Sequence, residues 1–335
     1  MPCLVIAEAG VNHNGDLETA FRLIDAAVSS RADAVKFQTF KTERVISRLA
    51  PKADYQVETT GAGESQFDMV KRLELSLDSH RKLMAYCREK GILFLSTPFD
   101  EESADALQQL GVVAFKIPSG EITNLAFIEH VARKGKPMLV STGMAHLGEV
   151  EAAVHAVERT GNKDLVLLHC VSNYPADPAD ANLRAMLSMA EAFKVPVGYS
   201  DHTLGIEVAL AAVALGACII EKHFTLDRFM PGPDHKASLE PDELAALVQG
   251  IRKVEQALGH GRKEPAASEV HIARVARKSL VAAQDIPAGT VLTDDLVAVK
   301  RPGTGLVPSL KPFVVGRTAR RTIEEGTVLD WDMIA

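Results

Sequence analysis

From residue 3 to about 258, short apolar or β-branched runs alternate with longer stretches in which apolar residues recur at helical spacing. This is the pattern of repeated strand–helix units. The runs are CLVIAE (3–8), AVKFQTF (34–40), ILFLSTP (92–98), AFKIPS (114–119), PMLVST (137–142), LVLLHCV (165–171), PVGYSD (196–201) and CIIEKHF (218–224). Eight strands, each followed by a helix-like segment, predict an α/β fold of the (β/α)8 or TIM-barrel type rather than an open doubly wound sheet. One interval breaks the rhythm: residues 41–78, containing TTGAGESQ, are too long for an ordinary strand-to-helix connection. Long structured connections at the upper rim of a barrel are where substrate lids occur, so this one is expected to be a lid or interface loop.

After LGHGRKEPAASE (258–269) the pattern changes to short β-rich pieces with turn residues. The expected layout is a barrel over 1–258, a polar linker over 259–276 and a small β-rich domain over 277–335. Within that domain DIPAGTVLTDDL (285–296) and TIEEGTVLDWDM (322–333) align at an offset of 37, which predicts a pseudo-symmetric module. The domain holds 8 basic and 7 acidic residues, a balance of +1, so the rest of the chain carries −8 within the total of −7. At about 60 residues the small domain is near the size where cores become marginal, and docking against a barrel is expected.

Composition narrows the function classes. With 47% hydrophobic and 24% charged residues the chain suits a globular protein with a full-sized core. No apolar run approaches a membrane span, and MPCLVIAEAG has neither a basic leader nor a cleavage pattern, so a cytoplasmic protein is expected. Cys3, Cys87, Cys170 and Cys218 stand far apart without a CxxC pair and read as reduced thiols. The mild negative charge and the lack of any Lys/Arg block argue against a nucleic-acid partner.

Catalytic groups of a TIM barrel project from the C-terminal ends of its strands. Nearly every run here ends in polar residues: Glu8, Lys36 with Gln38, Ser96, Lys116 with Ser119 and Glu121, Ser141, Ser172 with Tyr174, Ser200 with His202, and Lys222 with His223. Two lysines with several serines suit a phosphate and a carboxylate while leaving room for a neutral polyol. His202 and His223, ending neighbouring strands, can meet one divalent ion with open positions for substrate oxygens, a donor set that suits Mn²⁺, Zn²⁺ or Co²⁺.

IAEAGVNHNGD (6–16), VKFQT (35–39), STPFD (96–100), KIPSGE (116–121), STGM (141–144), YSDHT (199–203), EKHFT (221–225), GPDH (232–235) and KRPG (300–303) together resemble the bacterial sialic acid synthase family. Nine motifs in order cover almost the whole chain, including a C-terminal antifreeze-like (SAF) module over 277–335. The resemblance implies condensation of phosphoenolpyruvate with an N-acylated mannosamine-type sugar. The acceptor is N-acetylmannosamine or the 2,4-diacetamido-6-deoxy sugar that yields N,N'-diacetyllegionaminate. It further implies that Lys36, Lys116, Ser119, Ser141, Ser172 and Ser200 bind phosphoenolpyruvate and that Glu8, Gln38, Tyr174 and Asp234 bind the sugar. His202 and His223 would hold the metal, expected to be Mn²⁺ with Mg²⁺ or Co²⁺ as alternatives. Arg301 in the KRPG turn would reach the sugar's N-acyl group in the barrel of a second subunit, which implies a domain-exchanged homodimer.

The chemistry has one sense of polarity. The enol phosphate is nucleophilic at C3, the sugar aldehyde is the electrophile, and positive charge left at C2 is trapped by water before phosphate departs with C–O cleavage. Glu121 is the expected group to orient or deprotonate that water, with the metal as its competitor. Two rivals predict other behaviour. A Schiff-base aldolase would use Lys36, Lys116 or Lys222 and be trapped by borohydride. A non-catalytic sugar- or ice-binding protein would have no use for two histidines and two lysines in register on one rim.

Overall fold

The computed structural model describes residues 2–61 and 63–335, which fall into two compact units, Met1–Gly259 and His260–Ala335. The first unit contains eight strands: β1 (Leu4–Gly10), β2 (Ala34–Thr39), β3 (Leu93–Pro98), β4 (Phe115–Ile117), β5 (Met138–Ser141), β6 (Leu165–Cys170), β7 (Val197–Asp201) and β8 (Ile219–His223). Seven lie within a predicted run, and β1 extends two residues beyond its run. The pairings are parallel in the order β3-β2-β1-β8-β7-β6-β5-β4. The two ends of that order, β3 and β4, lie against each other, so the sheet curls into a TIM-like barrel.

Between the strands run α1 (Leu17–Ser29), α2 (Thr42–Val45), α3 (Asp54–Thr60), α4 (Gln66–Lys71), α5 (Leu77–Lys90), α6 (Glu101–Leu110), α7 (Leu125–Ala132), α8 (Leu147–Glu158), α9 (Arg184–Phe193), α10 (Glu207–Ala214) and α11 (Pro241–Leu258). Local signals start and stop them. Asp16, Ser76 and Asp100 cap α1, α5 and α6 by accepting the amides of Thr19, Ser79 and Ser103, and α5 and α6 end on left-handed Gly91 and Gly111. The long excursion after β2 is not a bare loop: it folds as the short helices α2, α3 and α4.

Two cores hold the barrel. One, between sheet and helices, contains the outward residues of the strands, such as Val5, Val35, Phe37, Val140 and Ile220. The other fills the barrel: Ile6, Ala34, Leu95, Leu139, Leu168 and Ile219 form a separate buried cluster. Side chains alternate faces along a strand, so whatever stands two residues further on also points inward. That one rule positions the site, because the next inward residues are Glu8, Lys36, Thr97, Ser141, Cys170 and Glu221. The apolar floor beneath them contributes about 1.5–3 kcal/mol for each large side chain withdrawn from water.

The second unit groups residues 260–276 of the expected linker with the domain expected over 277–335. The last part of the expected linker is a helix, α12 (Glu269–Ala276), because EVHIARVA contains no glycine or proline to break it. Then come β9 (Ser279–Ala282), β10 (Val297–Lys300) and the short helix α13 (Lys311–Val314), with β9 and β10 antiparallel. The internal repeat is a structural one. Ile286 pairs with Ile323, exactly the repeat offset apart, and the bridges Val281↔Val328 and Val291↔Thr318 exchange when that offset is applied. Gly289 and Gly326 both have φ 81°, and single-turn helices Asp294–Leu296 and Trp331–Met333 close the two halves. The unit has its own core, including Leu280, Ile286, Leu292, Ile323 and Leu329. Among the described residues no helix is long and apolar enough to cross a membrane.

Candidate active site at the barrel mouth

The C-terminal ends of the strands surround a cavity of about 360 Å³. At its base two lysines and two carboxylates form a buried network. Lys36 Nζ lies 2.6 Å from Glu8 Oε2 and 3.6 Å from Glu221 Oε2, while Lys116 Nζ lies 3.1 Å from Glu221 Oε1. Thr97 Oγ1 accepts from Lys36 Nζ at 2.8 Å, and Ser200 Oγ donates to Glu221 Oε1 at 2.9 Å. Burial by itself would raise Glu221, but Lys116 and Lys36 overcome it and hold the carboxyl well below the usual range. Glu8 goes the other way: burial dominates the help from Lys36, Glu221 repels, and its pKa rises to about 7. Burial would lower Lys36, yet Glu221 and Glu8 outweigh it and keep the ammonium above its ordinary value. The network therefore presents fixed cations to an incoming anion, beside one carboxyl whose pKa burial has raised.

A hydroxyl cluster flanks the lysines. Ser119, Ser141, Ser172 and Cys170 all line the cavity. Ser119 Oγ lies 2.9 Å from Cys170 Sγ and accepts the Gly143 amide at 3.0 Å. Ser141 Oγ is buried without a partner among the described residues, an acceptor and donor left for a ligand. Gly143 makes the convergence possible: a Cβ there would sit 2.3 Å from Ser172 Oγ, 2.7 Å from Ser119 Oγ and 2.8 Å from Cys170 Sγ.

His202 and His223, also on the lining, have ring centroids 5.6 Å apart. Tyr174 packs on both, at 4.2 Å from the His202 ring and edge-on at 5.5 Å to His223. His202 Nδ1 donates to the Val171 carbonyl at 2.6 Å, which leaves the Nε2 lone pair for a ligand. Nδ1 of His223 is buried without a hydrogen-bond partner, 4.0 Å from Asp234 Oδ2. Burial pushes His202 down to about 4 and His223 well below its ordinary value, so both rings are neutral, the form a metal requires. No ready cage of three or more His, Cys, Asp and Glu exists among the described residues. The donors fit an open site instead: two imidazoles, with Asp234 beside them and room for oxygens of a bound molecule.

Asp234 is held by a strut. Ser238 Oγ donates to the Asp234 carbonyl at 2.7 Å and accepts from Asn12 Nδ2 at 2.9 Å, and the same amide of Asn12 reaches the Phe224 carbonyl at 2.8 Å. Thus the NHNG motif after β1 ties the loop bearing Asp234 to the end of β8.

The structure sorts the sequence candidates. Glu8, Lys36, Gln38, Lys116, Ser119, Ser141, Ser172, Tyr174, Ser200, His202, His223 and Asp234 share one cavity. Glu121 does not line it. Its carboxylate sits in the turn after β4 and accepts the Asn124 amide at 2.7 Å, so the expected water-activating group is displaced from the site. Ser96 and Lys222 have the wrong parity and point outward. Ser96 bonds Thr39 at 2.7 Å, and Lys222 is locked to Asp201 Oδ2 at 2.6 Å and the Thr203 carbonyl at 2.7 Å, so neither reaches the cavity. Arg301 is exposed in the second unit, just after β10. Sequence reasoning missed Glu221, Thr97 and the cavity-facing thiol of Cys170. For Glu221 the signal was present: it stands two residues before His223 in the same strand and so shares its face.

The sequence signature of the NeuB family covers residues 23–263, and that of the SAF domain covers 277–335. The chain belongs to the NeuB family. It is 50% identical to the N,N'-diacetyllegionaminic acid synthase of Campylobacter jejuni, over 97% of this chain and 98% of that one. Its identity to the protein of the same name from Legionella pneumophila is 48%, over 100% of this chain and 95% of the relative. Among solved structures it is similar to an N-acetylneuraminic acid synthetase from Leptospira borgpetersenii in complex with citrate. There the TM-score is 0.72 and the identity 40%, covering 81% of this chain and 90% of the other.

Proposed function

We propose that this NeuB-family protein is a carbon–carbon bond-forming synthase that condenses phosphoenolpyruvate with an N-acylated mannosamine-type aldose and water to give a nine-carbon sialic-acid-like acid and phosphate. The observation that carries the reading is the joint presence, around one cavity, of a Lys36/Lys116 anion cradle and a neutral His202/His223 pair. The names of the relatives at 50% and 48% identity support N,N'-diacetyllegionaminate as the product.

In this reading Lys36 and Lys116 neutralise the phosphate and carboxylate of phosphoenolpyruvate, and Ser119, Ser141, Ser172 and Ser200 take up its remaining oxygens. Displacing Glu221 from the lysines costs some of that attraction, and the triply anionic substrate more than restores it. Gln38, Tyr174 and Asp234 hold the open-chain sugar so that its aldehyde carbon faces C3 of the enol. His202 and His223 would hold a divalent ion, Mn²⁺ by expectation, and that ion when bound polarises the aldehyde as a Lewis acid. Once the new bond has formed, water adds at C2 and phosphate leaves with C–O cleavage. Glu8, lining the cavity with its basicity raised by burial, takes the water proton in place of Glu121. Arg301 is assigned to the sugar's N-acyl group in the barrel of a second subunit, which makes each site composite. The Schiff-base alternative loses Lys222, which is ion-paired outside the cavity.

The deciding experiment is phosphate release from phosphoenolpyruvate with N-acetylmannosamine and with 2,4-diacetamido-2,4,6-trideoxymannose as acceptors. Acceptor-dependent release that stops with EDTA and returns with Mn²⁺ supports the synthase. Adduct trapping by borohydride, without phosphate release, would favour the aldolase.

A further inference from the structure

One wall of the cavity has no part in the chemistry above. It is supplied by the excursion after β2: Val45 and Ile46 from the end of α2, Met69 and Val70 from α4. Val11, Phe40 and Leu73, which also line the cavity, form a buried cluster against which Val45 and Val70 pack, so the wall is anchored to the barrel rim. Lys36 and Lys116, both at the base, are the cations on the cavity lining. The excursion is rich in cations, but Lys41 does not line the cavity and five others are engaged elsewhere. Arg44 faces Glu102 at 3.9 Å, Lys52 and Arg72 pair with Glu64 at 3.5 and 2.7 Å, Lys71 pairs with Glu43 at 2.9 Å, and Arg48 lies 4.4 Å over the Phe67 ring. The polar groups at the wall's edge, Gln56 and Gln66, are neutral amides, suited to acetamido groups rather than to anions.

We propose that Val45, Ile46, Met69 and Val70 are specificity-determining residues that receive the terminal carbon of the acceptor and select a methyl there over a hydroxymethyl or a phosphorylated group. The inference rests on the synthase reading. With the aldehyde at the histidines and the sugar held by Gln38, Tyr174 and Asp234, the apolar wall is the lining left for the far end of the chain. A methyl against it is withdrawn from water at a gain. A hydroxyl against it loses solvent without a partner, and a phosphate finds no cation among the described residues of this wall.

The test compares three acceptors that differ only at the terminal carbon: N-acetylmannosamine, its 6-deoxy analogue and its 6-phosphate. All are assayed for phosphate release by the full-length, metal-loaded protein at saturating phosphoenolpyruvate. The expected kcat/KM of the 6-deoxy sugar exceeds that of the 6-hydroxy sugar by roughly 10- to 100-fold, the range for a hydroxyl placed in an apolar pocket, with the 6-phosphate lower still. The variant Val45→Thr/Val70→Thr keeps side-chain shape and adds hydroxyls to the wall. It should bring the 6-deoxy to 6-hydroxy ratio down toward one, while an unchanged KM for phosphoenolpyruvate shows an intact fold. If that pair does not stay folded, Ile46→Thr alone reads the same ratio. A wild-type preference for the 6-hydroxy or 6-phosphate sugar, or a ratio that the threonines leave unmoved, overturns the specificity assignment and leaves the synthase reading standing. Absence of phosphate release with every acceptor, including the 2,4-diacetamido sugar, overturns both.

Discussion

Lys116 and Lys222 are the same residue type at the ends of two strands of one barrel, and both are buried, yet the faces they occupy give them different work. Lys116 points into the cavity beside Glu221, whereas Lys222 points outward to Asp201. Lys116→Met should therefore weaken phosphoenolpyruvate binding by about 2–4 kcal/mol, the range for truncating one partner of a buried charge pair. Lys222→Met should leave that affinity nearly unchanged and instead cost about 3–5 kcal/mol of stability, because Asp201 stays behind as an uncompensated buried charge. Calorimetric titration with phosphoenolpyruvate and urea unfolding of both variants read the two effects apart; equal affinity losses would show that parity does not sort these lysines. His13 gives a pH prediction at the same scale. Its Nδ1 accepts the Gly15 amide at 3.0 Å, and burial holds its pKa down at about 3. An unfolded chain protonates this ring near 6.5, so between pH 6.5 and 3 the unfolded state binds a proton that the native state does not. Stability is then fully present above pH 6.5 and falls as the pH drops through that window, by about 1.4 kcal/mol per unit for this one group. Urea unfolding at pH 7 and pH 5 should show a loss that is smaller by about 2 kcal/mol in His13→Gln; an identical loss would mean that the ring is protonated in the native state.

At the scale of the element, the strands were legible because continuous apolar runs bounded by turn residues have few other readings in an α/β chain. The floor-and-site layering was legible in principle too, since Ile219, Glu221 and His223 alternate with Ile220 and Lys222 along one strand. Parity is what a motif hides: STP or EKHFT names its residues without saying which face each takes, so it does not separate Ser96 and Lys222, which point outward, from Glu221, which points into the cavity. Residues 41–78 are less legible, because α2, α3 and α4 are too short to show a helical period, and α2 and α4 pack through Val45 and Val70 against the rim. Turns are illegible for another reason. Gly120 and Gly143 both lie in family-like motifs, but a Cβ at Gly120 meets nothing within 4 Å, whereas one at Gly143 overlaps Ser119, Cys170 and Ser172. Gly143→Ala should therefore lower phosphoenolpyruvate affinity at least tenfold, with an overpacking cost of about 1–3 kcal/mol, and Gly120→Ala should do neither. Binding and unfolding measured side by side check this contrast, and full affinity in Gly143→Ala would mean that the hydroxyl cluster is not the anion site.

At the scale of the whole molecule, the two-unit layout gives the final prediction. The second unit has its own core and its own internal symmetry, which lets it act as a separate module, and it carries Arg301 exposed just past β10. Under the domain-exchanged reading, that arginine completes the site of a second subunit while His202 and His223 belong to the barrel of the first. His223→Ala and Arg301→Ala should each be nearly inactive, one through the aldehyde end of the acceptor and the other through its N-acyl end, since orientation of the acceptor supplies much of the rate. Mixed under conditions that let subunits exchange, the two variants form a heterodimer in which one site carries both defects and the other carries neither. Half of the dimers are mixed on random exchange and half of their sites are intact, so about a quarter of wild-type activity should return. If Arg301 instead serves its own barrel, every site retains one defect and mixing restores nothing. Native mass spectrometry of the same mixture reports whether exchange has taken place, so silence from a fully exchanged sample would reject the exchanged dimer and move Arg301 to the active site of its own chain.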